Sequence, residues 1–410
     1  MRTIDFTAEE LCSDPRLRIA LVTETWPPEV NGVAMTLKRM VDGLIRRGHQ
    51  IQLIRPRQTP ADRASEGEAL QEVLSRGWKL PRYDGLKIGL PAKSKLVRLW
   101  ARQRPDLVHV ATEGPLGWTA VSAAAKLRLP VTSDFHTNFD HYSKHYGMGW
   151  LRQPVAAYLR RFHNRTISTF VPTAELAATL GAQGYQRVEV ISRGVDTSLY
   201  SPARRSDALR KSWGLGPDDL AVISVGRLAP EKNLALTMRA FAAIRARRPD
   251  ARMIIVGDGP QREAIAREHG DAVMAGMRHG EDLAAHYASA DLFLFPSLTE
   301  TFGNVTLEAM ASGVPTVAYD YAAAAEVIRD MLNGAVAPCN DEATFIERAE
   351  ALAIADEQRV LMGREARQSA ERIDWENVND AFADALIRAW RSGTPAPAVS
   401  AQLRTREAES

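Results

Sequence analysis

The stretch Phe295-Pro296-Ser297-Leu298-Thr299-Glu300-Thr301-Phe302-Gly303-Asn304-Val305-Thr306-Leu307-Glu308-Ala309-Met310, continued by Ala311-Ser312-Gly313-Val314-Pro315, decides how the chain is read. Leu292 to Phe295 is an apolar run that predicts a buried strand, and Pro296 to Gly303 predicts a loop. Asn304 is placed to cap a helix that Gly313 ends and Pro315 keeps from resuming. Strand, loop and helix in that order predict a parallel α/β sheet. In such sheets ligands gather where the carboxyl ends of strands meet the free N–H groups of a helix N-terminus. Gly303 lets a backbone approach a ligand closely, and Glu300 and Glu308 bracket the turn. The arrangement suits a phosphate flanked by hydroxyl groups.

The same order recurs on both sides of this stretch. Strand-like runs precede and follow it at Ala221 to Gly226, Met253 to Val256, Ala272 to Ala275, Thr316 to Tyr319 and Ala335 to Ala337. The first half has its own set at Leu17 to Thr23, Gln50 to Ile54, Leu86 to Leu90, Leu107 to Ala111, Val131 to Asp134, Ile167 to Val171 and Val188 to Ile191. Most are separated by segments of helical period or length, such as Val33, Leu37, Met40, Val41, Leu44 and Ile45 closed by Gly48. Two Rossmann-like α/β halves are therefore expected, at 17–197 and 198–374. An extension at 1–16 precedes them, and a helix at 375–392 and a disordered tail at 393–410 follow. The Gly-x-Gly-x-x-Gly spacing of a dinucleotide fingerprint is missing, which counts against an NAD or FAD site.

Composition sets the outer limits. A chain of 410 residues is too long for one ordinary core, and 45% apolar residues, 25% charged residues and a net charge of +2 describe a globular protein. No window holds the ~18 apolar residues needed to span a bilayer. Asp5, Glu9, Glu10 and Asp14 exclude a signal-peptide core from the first residues. Cys12 and Cys339, far apart in sequence, predict reduced thiols in a cytoplasmic protein.

Glu300 and Glu308, with seven residues between them, lie inside Pro-Ser-x-x-Glu-x-Phe-Gly followed by Glu-Ala-Met-Ala-x-Gly-x-Pro. This closely resembles the signature of retaining nucleotide-sugar glycosyltransferases of family 4. A second motif, Gly226-Arg227-Leu228-Ala229-Pro230-Glu231-Lys232-Asn233-Leu234, is similar to that family's Gly-Arg-Leu-x-x-Glu-Lys-Asn. The resemblance implies the GT-B architecture, two Rossmann-like domains facing across a cleft, with the terminal helix crossing back to the first. It implies that Glu300 faces the donor hexose, that Phe302, Gly303 and Asn304 place backbone amides near the hexose and diphosphate, and that Glu308 takes the ribose hydroxyls. Arg227 and Lys232 would neutralise the departing diphosphate, which two fixed cations can do without a metal. No metal or other cofactor is expected. A surface ion pair between Arg227 and Glu231 is the plain alternative for the second motif.

The resemblance also places the nucleobase near Gly276, Met277 and Arg278, and Gly32 beside the donor phosphates. His136, at the end of the strand in Thr132-Ser133-Asp134-Phe135-His136, would lie near the hexose and the acceptor hydroxyl. Gly194, in Arg193-Gly194-Val195-Asp196, is expected as a turn at the cleft. His109, inside an apolar strand, reads as a core residue. The implied reaction is a hexose transfer from GDP-mannose or a UDP-hexose to an acceptor hydroxyl. It would proceed by front-face substitution, because the family has no agreed carboxylate nucleophile. A nucleotide-sugar epimerase or phosphorylase of the same fold, and a non-catalytic sugar-nucleotide binder, are the competing readings.

The acceptor is addressed by charge. From His141 to Ala174 there is no acid, while Lys144, Arg152, Arg160, Arg161 and Arg165 alternate with Tyr142, Tyr146, Met148, Trp150, Leu151, Tyr158, Leu159 and Phe162. Lys93 to Arg104 is a second basic stretch, with Leu96, Leu99 and Trp100. One reading is contact with anionic headgroups at the inner membrane face and a lipid or lipid-linked glycan as acceptor. The other is an amphipathic helix whose Val155, Leu159 and Phe162 face the core while the arginines stay solvated. No nucleic-acid partner is expected.

Overall fold

The structure, a computed structural model, describes residues 15–29, 32–59, 61–79, 87–136, 152–300 and 302–393. The first half supplies strands β1 (Arg18–Val22), β2 (Gln50–Pro56), β3 (Leu70–Ser75), β4 (Gly77–Lys79), β5 (Lys87–Gly89), β6 (Leu107–Val110), β7 (Val131–Asp134), β8 (Ser168–Val171) and β9 (Val188–Val190). Seven of these form one parallel sheet in the order β3-β2-β1-β6-β7-β8-β9. The second half supplies β10 (Ala221–Val225), β11 (Arg252–Val256), β12 (Val273–Gly276), β13 (Leu292–Phe295), β14 (Thr316–Tyr319) and β15 (Ala335–Ala337). They form a second parallel sheet in the order β12-β11-β10-β13-β14-β15.

The interior strands, such as β1, β6, β10 and β13, are buried on both faces, which is why they read as continuous apolar runs. Along β10, Ala221, Ile223 and Val225 belong to the apolar cluster on one side of the sheet and Val222 to the cluster on the other. Two departures from the sequence reading occur at the margin of the first sheet. The run at Leu86 to Leu90 does not join the parallel sheet: its core, β5, pairs antiparallel with β4 in a separate ribbon. The third parallel strand is instead β3, which the sequence reading lacks. Its residues are half-buried throughout, and Glu72 within it pairs with Arg55 at 3.1 Å, so it has the polar character of a sheet edge.

The helix Trp375–Gly393 packs on the helix Gly32–Arg46, and Val378, Phe382 and Leu386 share one apolar cluster with Leu37, Met40 and Leu44. Gly43 permits that contact, since a Cβ there would lie 2.3 Å from Asn379 Cγ. Gly194 is not a turn. It marks the close crossing of the two segments joining the halves: the Val195 N–H donates to the Ile373 carbonyl at 3.1 Å, and a Cβ on Gly194 would lie 2.9 Å from Trp375 Cα. No helix among the described residues is long and apolar enough to cross a membrane. Gly393, expected to open the tail, ends the terminal helix instead; residues 1–14 and 394–410, which include Cys12 and the rest of the expected tail, lie outside the described residues.

Candidate functional site

In each sheet the chain reverses its direction of growth once, between β10 and β13 and between β1 and β6. The carboxyl ends of strands at such a reversal form a crevice. Both motifs of the second half leave the sheet there, one after β10 and the other after β13. Their loops are tied together: the Leu298 N–H donates to the Glu231 carbonyl at 2.9 Å, and the Tyr321 hydroxyl donates to the Glu300 carbonyl at 2.8 Å. The neighbouring loop after β11 comes so close that a Cβ on Gly257 would lie 1.9 Å from the Gly226 carbonyl oxygen.

The helix cap differs from the expectation. Gly303, not Asn304, is the cap of the helix Asn304–Ala311, with φ of 96°, a left-handed conformation in which any Cβ would be strained. Asn304 is the first helical residue. Its Nδ2 lies 3.9 Å from where a Cβ on Gly32 would be, so the two donor-site expectations face each other across the halves. The Phe302 side chain is buried in the core, and its carbonyl accepts from the Ala323 N–H at 2.7 Å, leaving only backbone at the rim. Gly313 closes the helix in the left-handed region, with the Val314 N–H bonded to the Ala309 carbonyl at 3.0 Å.

Lys232 and Glu300 meet. The ammonium bonds the Glu300 carboxylate, both side chains are under one-fifth exposed, at 18% and 15%, and the ammonium lies 5.3 Å from the Phe295 ring centre. Lys232 ends a 3-10 turn, Pro230–Lys232, and a left-handed Asn233 separates that turn from the α-helix Leu234–Arg247. Arg227 is 53% exposed and 4.0 Å from Glu231, so the plain alternative pairing exists but leaves the guanidinium largely in solvent. Glu308 accepts a hydrogen bond from the Tyr287 hydroxyl at 3.0 Å, and the Tyr200 hydroxyl also acts on the carboxylate. Burial raises its pKa, and those two hydroxyls oppose the rise. Met277 is exposed. Arg278 is turned inward on itself, with Nε donating to the Ala275 carbonyl at 2.9 Å and NH1 to Asp282 at 3.0 Å.

The rim of the first sheet holds His136 between Asp134, 3.1 Å from Nε2, and Arg193, 2.9 Å from Nδ1. His109 is fully buried, edge-on to Phe382, and its Nε2 lies 3.4 Å from the same Asp134 carboxylate. Burial would raise the pKa of Asp134, but His109 and His136 outweigh it and hold the carboxyl well below the usual range. At the β1/β6 reversal, Glu24 accepts from the Leu116 N–H at 3.0 Å, and burial pushes its pKa up to about 7, with nearby Glu113 adding to the rise. One further contact bridges the halves: Glu326 accepts from the Ala174 N–H at 2.8 Å. Sequence reasoning missed Asp134, Arg193, Tyr200 and Tyr287. Only Asp134, a lone carboxylate ending an apolar strand, carried a local signal.

The basic helices turn their apolar sides inward. Leu96 and Trp100 of Lys93–Arg102 are buried, as are Leu159 and Phe162 of Arg152–His163, and Val155 packs on the same side. Lys93, Lys95, Arg98, Arg160 and Arg161 face solvent. Tyr158 stacks on Trp118 at 5.3 Å, and the Arg165 guanidinium lies over the same Trp118 ring at 4.9 Å. Lys144, Tyr142, Tyr146, Met148, Trp150 and Leu151 lie outside the described residues.

Both halves of the chain are similar to known proteins. Residues 219–354 match the family Glycosyl transferases group 1, and residues 30–199 match Glycosyltransferase Family 4. A GDP-mannose-dependent alpha-mannosyltransferase of Mycolicibacterium smegmatis is 34% identical over 369 residues, covering 89% of this chain and 95% of that protein. An alpha-monoglucosyldiacylglycerol synthase of Streptococcus pneumoniae is 26% identical, covering 78% of this chain and 75% of that protein. Among solved structures, sucrose-phosphate synthase of Thermosynechococcus elongatus superposes with a TM-score of 0.75 at 17% identity, over 92% of this chain and 100% of the other. The chain thus belongs to glycosyltransferase family 4: it is a nucleotide-sugar-dependent hexosyltransferase of the GT-B fold.

Proposed function

We propose that the enzyme transfers mannose from GDP-mannose to an acceptor hydroxyl with retention of configuration, by front-face substitution and without a metal. The observation that carries this is the Lys232–Glu300 pair at the β10/β13 reversal, with Arg227 open beside it. A diphosphate entering there gains Lys232 as a partner and frees Glu300 for a sugar hydroxyl. The exchange costs little charge separation, because each group leaves one opposite charge or hydrogen bond for another. As the glycosidic bond breaks, charge grows on the leaving phosphate, where Arg227, Lys232 and the N–H groups that open the helix Asn304–Ala311 oppose it. The leaving oxygen then takes the acceptor proton on the same face. Glu308, held by Tyr200 and Tyr287, receives the ribose hydroxyls. The donor choice is supported by the mycobacterial relative, whose name specifies GDP-mannose.

The acceptor we favour is a membrane lipid or lipid-linked glycan, met at the inner membrane face. The diacylglycerol-glycosylating relative supports it, as do the solvent-facing cations of the two basic helices. Because Leu96, Trp100, Leu159 and Phe162 are spent on the core, such contact rests on the cations, at about 1 kcal/mol per cation near the surface. Incubation with a panel of nucleotide-sugars tests the donor: GDP is expected from GDP-mannose, unaffected by EDTA, with an α-linked product by proton NMR. Release of UDP from UDP-hexoses alone, loss of activity in EDTA restored by magnesium, or an inverted product would each overturn the corresponding part. Salt-sensitive cosedimentation with anionic vesicles, weakened by Arg160→Glu with Arg161→Glu, tests the surface.

A further inference from the structure

His136 is held at both ring nitrogens. A guanidinium carries only N–H donors, so the ring nitrogen facing Arg193, Nδ1 at 2.9 Å from NH2, is an acceptor with a bare lone pair. The proton of the ring is then on Nε2, which donates to Asp134 at 3.1 Å. A doubly protonated ring would set Nδ1–H against the N–H of the guanidinium. The chain of groups is carboxylate, neutral imidazole, guanidinium, with His109 Nε2 3.4 Å from the same carboxylate and the Glu113 carboxylate also acting on the His136 ring. Its members are deep: Asp134 is 2% exposed and Arg193 6%. Among the described residues no carboxylate pairs directly with Arg193; its other side-chain contact is NH1 to Met40 Sδ at 3.8 Å. A buried guanidinium is costly unless something on the protein uses it. Arg193 also stands on the segment that leaves the first half for the second, two residues before Val195 joins Ile373.

We propose that Arg193 is a positioning residue that holds His136 as the neutral, Nε2-protonated imidazole. This rests on the transferase reading, in which His136 lies beside the sugar. The sugar carbon becomes positively charged as its bond to phosphate breaks, and a ring kept neutral and backed by Asp134 turns no positive charge toward it. Arg193 thereby supplies the countercharge to Asp134 that the histidine would otherwise supply by taking a second proton.

Long-range proton–nitrogen NMR of protein labelled in its histidine rings tests this directly, with the His136 signals assigned by their loss in His136→Phe. In the wild type, Nε2 should carry the proton and Nδ1 none at neutral pH. Arg193→Met should give a doubly protonated or mixed-tautomer ring, and kcat with GDP-mannose should fall about tenfold or more while donor KM changes less than about twofold. Arg193→Lys should restore much of both. A wild-type ring protonated at Nδ1 overturns the proposal whether or not the variants fold, and so does an Arg193→Met protein with unchanged ring signals. If the wild type consumes no nucleotide-sugar, the transferase reading fails instead, and the ring signals still decide what Arg193 does.

Discussion

The two sheets carry charged groups at the same place, the carboxyl rim, and treat them in opposite ways. On the second sheet Arg227 is half-exposed and Lys232 is bonded to an acid from a different motif, Glu300, which in the proposed reaction the diphosphate displaces. On the first sheet Asp134, His136 and Arg193 bond one another and are almost wholly buried. A rim that must receive a charge keeps its cations open or replaceably paired. A rim that must keep its shape while charge develops beside it neutralises itself internally, because unpaired charge in a low-dielectric site is expensive.

Breaking the closed rim should cost most. Asp134→Asn leaves Arg193 buried without its countercharge, and stability should fall by about 3–5 kcal/mol. A shift below about 1 kcal/mol in urea unfolding would show that the three groups are not one charge unit. Opening the replaceable rim should cost nearly as much in rate. Lys232→Ala should reduce donor turnover about 10²–10³-fold, the size of losing one preorganised donor, and Arg227→Ala, more hydrated, about tenfold. Wild-type turnover in both variants would remove the cations from the mechanism.

Glu24 sharpens the comparison, being a first-sheet acid with an upward-shifted pKa. Its folded value of about 7 lies above the ordinary 4.5, so the folded chain holds this proton more tightly than the unfolded chain does. The cost is absent below pH ~4.5, grows as pH rises, and is complete above pH ~7, at about 3 kcal/mol for a shift of roughly 2.5 units. The stability difference between Glu24→Gln and wild type should therefore move in favour of the variant by up to that amount between pH 4.5 and pH 8. A pH-independent difference would mean that folding leaves the pKa of this acid where it stands in the unfolded chain. The smallest effect is expected beside the open rim. Ala322, just after the loop that bonds Glu300, has φ of 53° and ψ of −127°, where a Cβ is strained. Ala322→Gly should stabilise the fold by about 1 kcal/mol after the added flexibility of the unfolded chain is subtracted, read as a higher Tm.

Much of this was legible in the sequence where the signal is local. β13, β14 and β15 fall where their apolar runs lie, and the helix after Gly303 stops at Gly313 as its spacing requires. Interior strands announce themselves because both faces are buried. β3 does not, since an edge strand with Gln71 and Glu72 at half-buried positions looks like a loop. The cap moved by one residue because a left-handed glycine and an asparagine side chain are both acceptable helix starts, and only the backbone path chooses between them. The remaining gaps are matters of distance along the chain. Arg193 reaches His136 from 57 residues away, and Tyr287 reaches Glu308 from 21, so each pairing exists only once the sheet order has brought the strand ends together. Motif residues show which groups a site contains. Their partners are supplied by topology.

The terminal helix makes the order of synthesis differ from the order of completion. Phe382 closes against His109 at 5.2 Å and Phe170 at 5.8 Å, deep in the half of the protein that leaves the ribosome first. At about 5–20 residues per second, translating 196–374 takes on the order of ten to forty seconds. Throughout that interval the nascent first sheet exposes the apolar side of Leu37, Met40 and Leu44 that the last helix will cover. The earliest-made half is thus the last to be sealed, and a transcript cut short anywhere before Trp375 yields a chain with an open core rather than one with a finished first domain.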